Sequence, residues 1–297
     1  MAKPIPLLEN PYRSRGRWFK GAFHFHSTNS DGSLSPAESI RKYAEAGFDV
    51  IGLSDHGCVS VVPDEWFPGK LLIPTGELSW PHILHIGAKA RGVVREGTLR
   101  DVLARIRRER GFGVLCHPAW SNHTWQETLE AWPVDAVEVL NFVTELENGI
   151  GYGVERWDMM LQTGRRYWGF ATDDSHFRPA YPQFGGGYVM IRAPRLEAPD
   201  IMRALQAGSF YSTMGPEFRE IRVARGVVQV RTSPVVELRG IADGVGAGHV
   251  QFSRRPRRTW VVRYGDWWTK PLRYLRLEIK DGRGKTAWSN PFFVKGS

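Results

Sequence analysis

Over its first two thirds this chain alternates short apolar runs with segments that carry helix start and stop signals, and that alternation restricts it to βα units. The apolar runs are Ala22–His26, Val50–Leu53, Leu71–Thr75, Ile83–Ala88, Val114–Cys116, Ala136–Leu140 and Tyr167–Ala171. Between them, Ser35-Pro36-Ala37-Glu38 is a capping box with proline at the first helical position, and Gly47 stops the helix it opens. Thr98 and Gly111 bracket a second helix, Thr124-Trp125-Gln126-Glu127 caps a third, and the amphipathic stretch Val154–Leu161 stops at Gly164. Seven such runs suit a closed or nearly closed α/β barrel, in which the carboxyl ends of all strands meet at one mouth.

After Gly215-Pro216 the pattern changes to short β-rich runs, Val227–Arg231, Val235–Leu238, Thr259–Tyr264 and Leu272–Ile279, which read as strands of a small sandwich. The expected division is an N-terminal arm over 1–17, an α/β unit over 18–216 and a β-rich unit over 217–297. A chain of 297 residues has room for one large and one small domain. No repeat or low-complexity linker separates the two units, so they are expected to pack directly together.

Residues that carry chemistry concentrate where the runs end. In His24-Phe25-His26 the period-two alternation of a strand turns both imidazoles to one face, within reach of one metal ion. Asp31 follows in Ser30-Asp31-Gly32. The second run ends in Ser54-Asp55-His56, the third in Gly76-Glu77, the fifth in Cys116-His117-Pro118 and the seventh in Asp173-Asp174-Ser175-His176. A lone histidine beside an apolar strand is ordinarily structural, but so many ligand-type groups at successive strand ends do not gather by independent placement. Imidazole with carboxylate suits zinc, manganese or iron, and an acid can bridge two ions where a neutral group cannot.

The remaining composition narrows the setting. Cys58 and Cys116 are too few for a disulfide framework, and the start of the chain lacks the apolar core of a secretory signal, so a cytoplasmic protein with reduced thiols is expected. No run is long and apolar enough to cross a bilayer. Of the net charge of +9, two clusters account for much: Arg100, Arg105, Arg107, Arg108 and Arg110, then Arg254, Arg255, Arg257 and Arg258. Neither shows the aromatic interleaving of a single-strand groove, which puts a solvated basic surface ahead of nucleic-acid binding.

The ordered set His24-Phe25-His26, Ser30-Asp31-Gly32, Ser54-Asp55-His56, Gly76-Glu77, His117-Pro118 and Asp174-Ser175-His176 resembles the PHP superfamily, named for polymerase and histidinol phosphatase. Glu138-Val139-Leu140-Asn141 resembles that family's sixth-strand motif. Gly208-Ser209-Phe210-Tyr211-Ser212-Thr213-Met214-Gly215-Pro216 and Ala287-Trp288-Ser289-Asn290-Pro291 are similar to the carbaryl-hydrolase-like branch, which carries a C-terminal β domain. The resemblance implies a distorted seven-stranded (β/α)7 PHP barrel, a small all-β sandwich-like domain and a di- or trinuclear site. It further implies that His24, His26, Glu77 and Asp174 hold one ion, that Glu77 bridges to a second held by His82 and His117, and that Asp31, His56 and His176 form a third site. His85 competes with His82, which a hairpin through Trp80-Pro81 would bring back beside Glu77. Asp173 likewise competes with Asp174, whose Asp-x-His spacing shares a face with His176.

Chemistry would then follow from two or three divalent ions (Zn, Mn or Fe) rather than from a protein nucleophile, since no Gly-x-Ser-x-Gly elbow is present. A metal-bridging water acidified toward neutrality would supply hydroxide. His56 or His176 would protonate the leaving group where no third ion binds, and Asp55 is an orienting carboxylate beside His56 or a strand-end cap. Arg178 is the candidate phosphate clamp, and Trp120, with Phe177, a candidate aromatic wall. A small phosphomonoester or phosphodiester is the expected substrate, with aryl esters or carbamates as the alternative and a nuclease-type phosphodiesterase behind them. Oligomeric state is left open.

Overall fold

The computed structural model describes residues 5–78, 82–94, 97–131, 133–243, 248–264 and 272–296. Strands Arg17–Ala22, Val50–Ile51 and Leu71–Leu72 lie parallel and side by side, with helix Pro36–Glu45 crossing between the first two. The Ser35 hydroxyl accepts from the Glu38 amide while the Glu38 carboxylate accepts from the Ser35 amide, closing the expected box at the helix start. Helices Leu99–Glu109 and Trp125–Glu130 begin on equivalent boxes at Thr98 and Thr124. Helix Val154–Gln162 ends just before Gly164, whose φ of 81° lies in the left-handed region.

Strands Thr75–Leu78, Ile83–Ile86, Phe112–Leu115, Ala136–Asn141 and Trp168–Thr172 form a second sheet. Its last three strands are parallel, but Ile83–Ile86 runs antiparallel to both neighbours. Chain length dictates this: only residues 79–82 join Leu78 to Ile83, and a parallel crossover needs roughly a dozen. The expected turn at Trp80-Pro81 lies outside the described residues, but the strands on either side pair as a hairpin.

The closed seven-stranded barrel is not found as a continuous ladder. Among the described residues the two sheets meet through two single parallel bridges, Phe25 with Ser175 and His56 with Glu77. The strands Val50–Ile51 and Leu71–Leu72 are too short to carry pairing further. Both bridges join residues of the ligand motifs, so the sheets touch where the histidines gather.

The helices Phe142–Asn148 and Ala198–Gln206 and the strands Tyr188–Ala193, Phe210–Thr213, Phe218–Ala224 and Thr286–Ser289 are among the elements that add to those read from the sequence. Tyr188–Ala193 pairs antiparallel with Arg17–Ala22 and with Phe210–Thr213, which pairs in turn with Thr286–Ser289. The C-terminal strands therefore extend the sheet that contains Arg17–Ala22 instead of standing as a free sandwich. Strands Val227–Ala242 and Gly248–Arg263 bulge midway, and Gln251 Nε2 donates to the Val261 carbonyl at 2.7 Å, so the hairpin bends sharply on itself. Tyr274, Trp288 and Phe293 share one apolar cluster with Leu140, Trp157 and Met160, tying the two parts together. The N-terminal arm joins them: Tyr12 is buried, its hydroxyl donating to the Phe210 carbonyl and accepting from the Asn290 amide. No helix among the described residues is long and apolar enough to cross a membrane.

Candidate metal centre

Strand ends deliver the side chains. His24 and His26 leave the end of Arg17–Ala22 on one face, their rings 5.3 Å apart. His56 follows Val50–Ile51, Glu77 lies within Thr75–Leu78, His117 follows Phe112–Leu115, and Asp174 and His176 follow Trp168–Thr172. The loop that carries Asp31 turns tightly through Gly32, where a Cβ would collide with the His26 carbonyl.

Glu77 is the centre of the cluster, with no solvent exposure. Its Oε1 lies 2.9 Å from His82 Nδ1 and 3.2 Å from His117 Nε2. Its Oε2 lies 3.1 Å from His24 Nε2, 3.1 Å from His56 Nδ1 and 3.4 Å from His26 Nε2. Asp174 Oδ1 stands 2.9 Å from His26 Nε2 and 3.2 Å from His24 Nε2. Asp31 Oδ2 faces His176 Nε2 at 3.1 Å, and its Oδ1 lies 3.7 Å from His56 Nε2. Among the described residues five overlapping groups have donor atoms mutually within 4.8 Å: His24, Glu77 and His117; His24, His26 and Asp174; His56, Glu77 and His82; His26, Asp31, His56 and His176; and His24, Cys116 and Glu138.

The backbone is strained here. His82, His117 and Asp174 have φ of 62°, 23° and 52°, and Phe177, one residue past His176, has 54°. Non-glycine residues in that region cost about 1–3 kcal/mol each, and they persist where the surroundings hold them and cluster at working sites. Electrostatics point the same way. Burial alone would raise Glu77, yet His24, His117 and His82 hold it well below the ordinary carboxylate range. Burial opposes charge on His24 too, but Asp174, Glu77 and Glu138 outweigh it and raise its pKa. Asp31 and Asp174 are held low by their histidines against the same burial, while His56 is lowered, burial outweighing Glu77.

The competing residues lie elsewhere. Asp173 accepts from the Tyr43 hydroxyl at 2.8 Å and the Gly185 amide at 2.6 Å, and burial pushes it up to about 7. His85 is buried against Gly111, on the far side of its strand from Glu77, with Glu109 3.6 Å away. Burial lowers its pKa from 6.5 to about 4. The unfolded chain therefore binds more protons than the folded one between those values, so this residue weakens the fold as pH falls from 6.5 toward 4. The loss amounts to about 3 kcal/mol. His85→Leu is expected to flatten that limb of a stability–pH curve measured by urea unfolding, and an unaltered limb would count against it.

Asp55 faces its own loop rather than the cluster. It accepts from the Ser27 amide and hydroxyl at 2.7 and 2.8 Å, from Ser30 at 2.8 Å and from Ser60, which pins the loop before Asp31. Trp120 is half exposed, its ring centroid 5.0 Å from that of His117 and 6.0 Å from that of His82 in edge-to-face arrangements. Arg178 lies at the rim with Nη1 3.6 Å from Glu147. These two residues, with Val143, Thr144, Glu147 and Asn148, wall a cleft of about 160 Å³ whose floor is formed by Asp31, His56, His82, His117, Asp174 and His176.

The motif Glu138-Val139-Leu140-Asn141 contributes a residue whose role emerges only in the structure. Glu138 is fully buried, with Oε1 2.7 Å from His24 Nδ1 and 2.6 Å from the Thr172 hydroxyl. Its Oε2 accepts from the His117 amide at 2.7 Å and from Asn141 Nδ2, which also reaches Asp174 at 3.0 Å. A carboxylate can only accept, so Nδ1 of His24 carries the proton and Nε2 is left toward Glu77 and Asp174. The signal was available: Glu138 is the one charged residue in an otherwise apolar buried run.

No protein-family model matches the chain, and no curated protein sequence matches it. Among solved structures, it is similar to a two-domain protein from Bacteroides vulgatus containing a predicted PHP-like metal-dependent phosphoesterase. The TM-score is 0.54 at 15% identity, covering 99% of this chain and 98% of that one. An amidohydrolase from Chromobacterium violaceum, with sulfate and no metal bound, overlaps more loosely, with a TM-score of 0.38 at 15% identity over 50% of this chain and 84% of that one. The first match covers both parts of the molecule, and the chain shares the fold of that two-domain protein.

Proposed function

We propose that the protein is a metal-dependent hydrolase, and within that class a phosphoesterase acting on a small phosphorylated molecule. The observation that carries this reading is Glu77, a buried carboxylate whose two oxygens face different histidines. The donor set fits divalent ions. Among the described residues the ion pairs of Glu77, Asp174 and Asp31 are all with imidazoles, whose protons cations would replace. His24, His26, Glu77 and Asp174 would hold one ion, Glu77, His82 and His117 a second, and Asp31, His56 and His176 a third. Such ions, when bound, acidify water toward neutral pH and offset charge developing on a phosphoryl oxygen.

The chain's own residues do the rest. Glu138 keeps the proton on His24 Nδ1, and the Asp174 carbonyl, 2.9 Å from His176 Nδ1, fixes that ring the same way. Of the two imidazoles that would pass a proton to a leaving group when not ligating, His176 is the better donor, since Asp31 and Asp174 raise its pKa against burial, whereas burial lowers that of His56. Arg178 at the rim is placed to meet phosphate oxygens. Trp120 supports the second reading, an aryl ester or carbamate packed against its half-exposed indole. The cleft's size favours a small substrate over a polymer. The two free thiols accord with a reducing cytoplasm.

The test is to load the stripped protein separately with manganese, zinc and iron and compare phosphomonoesters, phosphodiesters, aryl esters and oligonucleotides. A small phosphoester is expected to be turned over best, with weak salt dependence, because its charge meets the site inside a cleft. Arg107 and Arg110 line a separate cleft of about 890 Å³ with Pro133, Val134, Asp135, Arg166 and Trp168, at the strand starts opposite the clustered histidines. Replacing Arg107 and Arg108 with alanine should therefore leave kcat/KM unchanged. Preference for oligonucleotides, with a steep salt slope that flattens in the double variant, would transfer the assignment to a nuclease.

A further inference from the structure

The segment from Asp174 to Arg178 carries two candidate ligands, Asp174 and His176, a rim arginine and two left-handed non-glycine residues. Among the described residues its own backbone is tied internally only by the Phe177 amide donating to the Ser175 hydroxyl at 3.3 Å and by the Asp174 carbonyl meeting His176 Nδ1. The group that holds it comes from five residues beyond. Gln183 is 1% exposed. Its Oε1 accepts from the backbone amide of His176 at 3.0 Å and from that of Arg178 at 3.3 Å. Its Nε2 donates to Glu147 Oε1 at 3.1 Å, the same carboxylate that Arg178 approaches. On the other side, the His176 carbonyl accepts from the Ser33 amide at 2.8 Å, two residues past Asp31. His176 is thus gripped at both ends of its peptide, and its Nε2 is set against Asp31.

We propose that Gln183 is the positioning residue of the Asp31–His56–His176 subsite, fixing where His176 presents its free nitrogen. This rests on the reading of the cluster as a metal site. The chemistry is specific to the amide. Two amide protons converge on one buried oxygen, and a side chain that fills the space without an acceptor would leave both unpaired, so the turn would shift to find water. Shifting the turn moves His176 away from Asp31, whereas Asp174 at the start of the segment is held separately by Asn141 Nδ2 at 3.0 Å and the bonds that arrange His24, His117 and Glu77 run through Glu138 and the hairpin. The effect is therefore confined to one ion. A side chain that supports a ligand from behind ordinarily changes metal affinity by about 10–100-fold.

The experiment is a manganese and zinc titration of chelator-stripped wild-type, Gln183→Met and Gln183→Glu proteins by calorimetry, with melting temperatures and kinetics measured alongside. Methionine keeps the volume and removes the acceptor, whereas glutamate keeps the acceptor but replaces the donor to Glu147 with a second carboxylate oxygen. One class of site should weaken by about 10–100-fold in Gln183→Met while the others keep their affinity. Saturating metal should restore its kcat, and Gln183→Glu should bind that ion far more tightly than Gln183→Met. If all sites weaken together in step with melting temperature, or none does, Gln183 is a packing residue and the proposal fails. If glutamate and methionine behave alike, the acceptor is not the reason and it fails equally. A wild-type protein that binds no metal would instead overturn the hydrolase reading beneath it, and the two failures are distinguishable in the first titration.

Discussion

Glu77→Gln is expected to abolish nearly all turnover while leaving a folded chain. Glu77 has no solvent exposure, and five imidazoles lie within 3.4 Å of its two oxygens. An amide has the same shape, but it cannot offset cations, and its NH2 would point at ring nitrogens or at ions. Removing one partner from a buried charged set costs about 3–5 kcal/mol, or a factor of about a hundred to several thousand in an equilibrium or rate. Arg178→Ala sets the scale for a peripheral contact: that side chain is 45% exposed, and its loss should cost about tenfold in kcat/KM, borne mainly by KM. Steady-state kinetics of both variants on one substrate decides the matter. Equal losses, or a fully active Glu77→Gln, would mean that the shared carboxylate has been misassigned.

The site was legible in the sequence where its chemistry is local. Period-two alternation suffices to put His24 and His26 on one face, and the capping boxes at Ser35, Thr98 and Thr124 need only the backbone of their own turn. What resisted reading depends on partners far along the chain. Glu138 acts on His24 from 114 residues away, and a buried acid in a strand shows no partner until the strands are side by side. Gln183 resembles any polar loop residue, because its work is done through two backbone amides that no side-chain pattern records.

The fold divides in the same way. Helix starts follow from sequence, whereas the direction of Ile83–Ile86 turns on a connection too short for a crossover. Barrel closure is a matter of long-range pairing, and the strand Phe210–Thr213 continues one sheet into the C-terminal strands, which alternation within each run cannot announce. Arg254, Arg255, Arg257 and Arg258 form a charge cluster in the sequence, but they lie exposed on one bent strand that contributes no residue to the metal-ligand groups.

Metal removal should have the largest effect on stability. Three carboxylates and six histidines converge at one end of the sheets, and without cations their balance depends on imidazole protons trapped at low exposure. An ion present at a hundred times its dissociation constant stabilises a fold by about 2.7 kcal/mol, and each kcal/mol moves the melting temperature of a protein this size by about 2–4 °C. Two such ions should therefore be worth on the order of 10 °C or more. The decisive measurement is a melting curve of the purified protein, with metal content assayed on the same sample, before chelation, after chelation and after manganese or zinc is returned. The account predicts two or three ions per chain, a drop on that scale when they are stripped, and recovery of both melting temperature and hydrolysis when they are restored. A verified metal-free chain that melts at the same temperature and hydrolyses at the same rate would contradict it.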